Sequence, residues 1–127
     1  MRLWLFLLPL IVMASCNSSN KMVGGHKDAH GCLVAAGYTW STVLKDCIRP
    51  WESGTRVLNA QDSAATTAAF AVFSPDRRQV ELFLPSISTH PLLDQQGTGW
   101  RSGPFSLTEQ DGKLSLYHRE RLIYVQE

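Results

Sequence analysis

The chain has 127 residues, 12 Lys and Arg against 11 Asp and Glu, and 44% apolar residues, a length that suits one domain. So nearly neutral a charge removes the electrostatic case for nucleic acid or an anionic membrane surface as a partner. Three cysteines in so short a chain leave one over after pairing, and that one needs its own account.

In chain order, Met1 and Arg2 make a short basic start, residues 3–13 (LWLFLLPLIVM) are apolar, and Ala14 and Ser15 are small. This is the order of an export signal. The apolar run falls short of the roughly 20 residues that a bilayer-spanning helix needs, and Pro9 weakens it further as a helix. Residues 1–15 are therefore expected to act as a signal peptide. The junction Met13-Ala14-Ser15-Cys16 resembles the lipobox of bacterial lipoproteins. The resemblance implies that Cys16 becomes the mature N-terminus and carries acyl chains, each buried CH₂ contributing about 0.8 kcal/mol to membrane attachment. Lipidating Cys16 resolves the cysteine count, because Cys32 and Cys47 remain as a pair. In the oxidising compartment beyond the inner membrane they are expected to form a disulfide, which in the chain-entropy view contributes about 3 kcal/mol. Without Arg2 the basic and acidic residues balance, and the mature chain is neutral with its histidines uncharged.

After Cys16 the polar, glycine-rich residues 17–25 (NSSNKMVGG) read as a flexible tether, so that residues 26–127 form the domain. His26, Asp28 and His30 offer metal-ligand types, with the two histidines at i and i+4. Gly24, Gly25 and Gly31 flank them and argue against a rigid helix, and a metal site needs more converging ligands than an isolated pair supplies. They are read as surface residues, with no metal and no cofactor expected.

Residues 31–52 (GCLVAAGYTWSTVLKDCIRPWE) then read as a hairpin closed by Cys32 and Cys47. Val34, Tyr38, Thr39 and Trp40 favour a strand over 33–40, Ser41 suits the cap of one helical turn, and 47–51 returns as a short strand that Pro50 confines to an edge or an end. Tyr38, Trp40 and Trp51 are expected to fill the core beneath the bridge first, since a small domain needs its aromatic area buried. Together with Arg49 they are also the candidate binding surface, and Arg49 with Glu52 reads as a rim ion pair. The pattern GC-x-x-x-AGY-x-W followed by C-I-R-P-W-E resembles a segment of bacterial lipoproteins and other small exported proteins without assigned activity. Related segments often read SAGY-x-W-C, where this chain has Ala35 and Ser41, so a second local disulfide cannot form. The resemblance implies a structural module and brings no activity with it.

Beyond the hairpin, residues 54–60 read as a strand or connector and 61–69 as a loop or a helical turn. From Phe70 the hydrophobic period becomes two. A strand at 70–73, a type I turn at 74–78 with Pro75 in place, and a strand at 79–84 follow, with Val80, Leu82 and Leu84 on one face and Glu81 expected to face solvent. Residues 86–89 form a loop, 91–93 a short apolar stretch, and 95–99 (QQGTG) a turn. The run 100–107 leads to Asp111-Gly112, a strong hairpin signal. Residues 113–117 alternate with Leu114 and Leu116 on one face, 118–121 form a polar turn, and 122–126 close the chain with Ile123 and Val125 opposite Leu122 and Tyr124. Six or so short strands argue for a mainly β domain, an antiparallel meander closing into a small barrel or sandwich behind the hairpin.

No motif brings catalytic groups together. A nucleophile elbow and a phosphate loop are missing from the sequence, and Asp28, Glu52, Glu81, Asp94 and Glu109 sit in no paired-carboxylate motif. His90 and His118 read as turn residues that at most meet at a barrel mouth. The expected protein is a non-catalytic cell-envelope lipoprotein, held to the membrane by its N-terminal lipid, with its domain in the periplasm or on the surface. It has a structural or protein-binding role toward an envelope partner and no small-molecule substrate. The alternative comes from residues 100–105: a neutral lipidated meander with a tryptophan–glycine segment is similar to the membrane-bound inhibitors of C-type lysozyme, and Ser102-Gly103 matches part of their inhibitory loop. That resemblance implies inhibition of a lytic hydrolase.

Overall fold

The computed structural model describes residues 27–62, 64 and 67–127. The expected signal peptide 1–15, the expected acylation site Cys16, the tether 17–25 and His26 lie outside the described residues.

Two bodies of β structure pack on each other. The first is a two-stranded antiparallel hairpin, β1 (Thr39–Ser41) with β2 (Asp46–Ile48). The second is a closed barrel of eight strands: β3 (Thr55–Asn59), β4 (Ala69–Phe73), β5 (Gln79–Phe83), β6 (Leu92–Gln96), β7 (Gly99–Ser102), β8 (Phe105–Gln110), β9 (Lys113–His118) and β10 (Arg121–Val125). Each strand pairs antiparallel with the next, and β10 closes the ring on β3 through Tyr124 opposite Asn59 and Val125 opposite Leu58. The architecture is the expected meander, and it closes as a barrel rather than a sandwich.

Alternation builds the interior. Val80, Leu82 and Leu84 from the β5 segment, with Val57, Ala71, Leu93, Trp100, Leu107, Leu114 and Leu116, form one buried cluster. A barrel of eight strands is just wide enough for side chains to fill it. At one end the Trp100 indole N–H donates to the Arg77 carbonyl at 2.7 Å. The Arg77 guanidinium lies 4.2 Å from the Phe73 ring centroid and pairs with Glu109 at 2.7 Å. Trp100 is thus a core anchor.

Several connections are tighter than expected. Residues 100–107 are two strands, because Gly103 takes a φ of 54° and turns the chain between Ser102 and Phe105. Gln95 and Gln96 belong to β6, which leaves only Gly97 and Thr98 as the turn. Asp111 and Gly112 both have positive φ, the conformation that a two-residue hairpin with right-handed strand twist requires. Arg119 and Glu120 adopt it without a glycine. In β10 the register slips between Leu122 and Tyr124. Simple alternation therefore fails there, and Ile123 and Tyr124 both pack on the core.

The hairpin lies against the outer face of β4 and β5. Ile48, Val72 and Phe83 form a second buried cluster there, joined by Val43, Leu44 and Phe70. Strands β4 and β5 are thus covered on both sides.

Candidate functional site

The hairpin is built differently from the expected pair of strands. Val34–Ala36 is a single 3-10 turn, ended by Gly37 at φ 84°, and strand structure begins only at Thr39. The polar link 42–45 does carry the expected capping contact, since the Ser41 hydroxyl accepts the Leu44 N–H at 3.2 Å. The returning strand stops at Ile48, and Pro50 opens a one-turn helix, α1 (Pro50–Ser53). Proline is suited to that first helical position, because its missing N–H would have no helical acceptor there. The Cys32–Cys47 disulfide ties the segment before the 3-10 turn to β2, with Cα atoms 5.5 Å apart and a sequence separation of 15.

The aromatic residues of this segment are not core. Trp51 is 54% exposed and Tyr38 and Trp40 are half-buried. The hairpin is one thin layer whose inner face is already filled by Ile48, Val43 and Leu44, so the rings have only its outer side. The Trp51 indole brings the edge of its six-membered ring against Gly37, where a Cβ would come within 2.2 Å of it. Arg49 sits 4.5 Å above the Tyr38 ring, donates to the Ala36 carbonyl at 3.0 Å and pairs with Glu52 at 3.2 Å, the expected ion pair. Leu33 and Val34 are exposed on the neighbouring turn.

Asp28 acts locally. Its Oδ1 accepts the N–H groups of His30 and Cys32, both at 2.9 Å. The Cys32 N–H, more than any other group, holds the carboxyl below its ordinary range. The His30 ring stacks on Trp40, 4.5 Å between centroids and 7° from parallel.

Glu81 is the residue that the sequence reading misplaced. Expected to face solvent, it is 1% exposed, because the hairpin roofs the outer face of β5. Its Oε1 accepts the Ser41 hydroxyl at 2.8 Å and the Thr42 N–H at 3.0 Å, and Oε2 takes a longer branch of the same N–H at 3.2 Å. His90 Nδ1 stands 3.8 Å from Oε2, with its ring against Phe83. Burying a carboxylate is costly unless donors replace its water, and the hairpin supplies them through the Ser41 hydroxyl and the Thr42 backbone N–H. A signal was present in the sequence: Phe70-Ala71-Val72-Phe73 and Leu82-Phe83-Leu84 are apolar on both faces, as strands covered on both sides are.

Chemically this group is a clasp. Ser41 is fully buried and gives its proton to Glu81 rather than to a histidine, so it is not set up as a nucleophile. His118 packs on Phe105, 5.0 Å between centroids, and lines the barrel mouth with Tyr124, whose hydroxyl burial pushes up in pKa. His90 lines a different cleft beside Glu81, and the two histidines do not meet. A groove of 650 Å³ runs past Asp76 and Asp94. Ser74 lowers the Asp76 pKa by hydrogen bonding, and Gln79 donates to Asp94. Asp76 is occupied by its own turn and Asp94 by the neighbouring strand β5. Ser102 and Gly103 are exposed at the β7–β8 tip, beside a groove that includes Arg101, Tyr117 and Arg119. No protein-family model, curated protein or solved structure matches the chain.

Proposed function

We propose that the chain is a non-catalytic, lipid-anchored envelope protein whose disulfide-braced hairpin binds a protein partner. The observation that carries this reading is the exposure of Leu33, Val34 and Trp51, at 38, 49 and 54%, on the segment braced by the bridge; among the described large apolar residues Ile87, at 38%, is the one exposed elsewhere. Exposed aromatic anchors beside an arginine have the composition of interface hot spots, and the Cys32–Cys47 bridge holds them with little ordering left to lose on binding. Export is supported by the same bridge, since disulfides persist in oxidising compartments, and by the signal-like start leading to Cys16. Metabolic labelling with palmitate is expected for the native chain and not for Cys16→Ala. A photo-crosslinking residue at position 51 should yield a discrete envelope adduct in cells. Adducts no different from those at Lys113, on the far side of the barrel order, would overturn the binding reading.

A second reading is favoured by the placement of Ser102 and Gly103 at an exposed barrel tip. There the two residues are accessible as an inhibitory loop toward a lytic hydrolase such as lysozyme. Titration of the purified chain into a lysozyme turnover assay decides it: loss of turnover that Gly103→Glu relieves supports inhibition, and full turnover in excess protein removes it.

A further inference from the structure

Between the hairpin and the barrel lies a cleft of 340 Å³. Its walls include the His30–Trp40 stack, and Glu81 and His90 lie at its barrel side. None of Leu33, Val34 or Trp51 lines it, so it is separate from the surface proposed above for a protein partner.

The two oxygens of Glu81 are unequally served. Oε1 accepts two short hydrogen bonds, whereas Oε2 has only the 3.2 Å branch of an N–H already given to its neighbour. His90 Nδ1, at 3.8 Å, is outside hydrogen-bonding reach. Each carboxylate oxygen offers two lone pairs, and this side chain is 2% exposed, so little water makes up the difference. No buried side-chain oxygen among the described residues is without a partner, but the single partner of Oε2 is this shared N–H, which leaves it room to accept a second donor.

The surroundings select the kind of donor. No lysine or arginine lines the cleft, and Asp28 adds a second carboxylate to it. Asp28 stays ionised over an extended acid range because the Cys32 N–H stabilises its charge. Anionic ligands are therefore disfavoured and cationic ones favoured. Among the described residues no group of three or more His, Cys, Asp or Glu side chains is placed to hold a metal ion. A cation that brings its own hydrogen-bond donors fits better.

The geometry points to a binding site for a primary ammonium group, which donates to Glu81 Oε2 while its alkyl chain lies along the His30–Trp40 stack. An ammonium carries three donors, and its bond to a carboxylate oxygen is short and charge-assisted. The ammonium belongs either to a small free amine or to a lysine side chain of another protein.

Titration of n-butylammonium chloride into the purified, isotope-labelled chain, followed by NMR, tests the assignment. Saturable shifts are expected at the Thr42 amide and the Trp40 indole N–H, with n-butanol and butyrate leaving both unmoved. Glu81→Gln keeps Oε1 with its two hydrogen bonds and replaces only Oε2 by an amide nitrogen, so it should weaken binding about tenfold or more in a spectrum that is otherwise native. An acetylated, amidated Gly-Lys-Gly peptide separates the sources. Binding as tight as that of butylammonium assigns a lysine side chain, and binding of butylammonium alone assigns a free amine. The proposal is overturned if neither amine saturates these signals, if butanol moves them equally, or if Glu81→Gln binds unchanged. The comparison of the three small ligands on the native chain stands even if the variant fails to fold.

Discussion

Replacing Glu81 by alanine would strip the buried Ser41 hydroxyl and the part-buried Thr42 N–H of a shared acceptor. An orphaned buried donor costs about 1–3 kcal/mol and a part-buried one less, so Glu81→Ala should destabilise the fold by roughly 2–4 kcal/mol. The check is urea unfolding, where the midpoint should fall with little change in slope; a midpoint within error of the native one would mean that the clasp contributes nothing. This residue also shows what the sequence conceals. Alternation along Val80-Glu81-Leu82 correctly separates position 81 from the barrel interior. It says nothing about what covers the other face, and here the cover comes from Ser41 and Thr42, 40 and 39 residues away in the chain. Phe83 shares that face and is itself buried, which, with the two-faced apolar run of β4, was the local hint that the exterior of β5 is dry.

At the scale of the hairpin, Gly37 is the residue with least freedom to change. It has a left-handed φ of 84°, and a Cβ there would meet the Trp51 ring at 2.2 Å. The left-handed conformation alone costs a non-glycine residue about 1–2 kcal/mol, and the indole must move as well. Gly37→Ala should therefore lower the melting temperature by about 5 °C or more and shift the Trp51 indole resonance; an unmoved indole would show that the ring does not rest on this backbone. The placement of the cysteine pair, the capping by Ser41 and the Arg49–Glu52 ion pair were all legible from local chemistry. The strand assignments at 33–36 and 49–51 were not. Gly37 fits a slim strand as well as the end of a 3-10 turn, and Pro50 fits a strand end as well as the first position of a helix. The choice between them was made by packing, which seated Trp51 on Gly37 and left it half in water.

For the whole molecule, the bridge and the barrel should come apart as separate units of stability. The disulfide closes a loop within the hairpin segment alone, and its loss removes about 3 kcal/mol in the chain-entropy view. In Cys32→Ser/Cys47→Ser, amide exchange should accelerate from residue 27 to 48 while Leu82, Leu93, Leu107 and Leu116 in the barrel stay protected. Equal acceleration in both regions would show a single cooperative unit instead. The β-rich meander was legible because alternation and turn residues repeat from Phe70 onward. Its closure was not, since that rests on β10 meeting β3 across more than 60 residues of chain, and no local pattern distinguishes a ring from two stacked sheets. Nor did the sequence display the turn at Gly103, where a two-residue link hid inside what looked like one run. Closure has a further consequence for how this protein meets others. Every barrel strand has a neighbour on each side, so the barrel offers no free row of backbone N–H and C=O groups for another chain to extend. The outer edges of the three-residue strands β1 and β2 are too short to template such an addition. Recognition by this domain is thereby restricted to side chains, and its contacts should be specific in shape and indifferent to whether the partner carries an exposed strand.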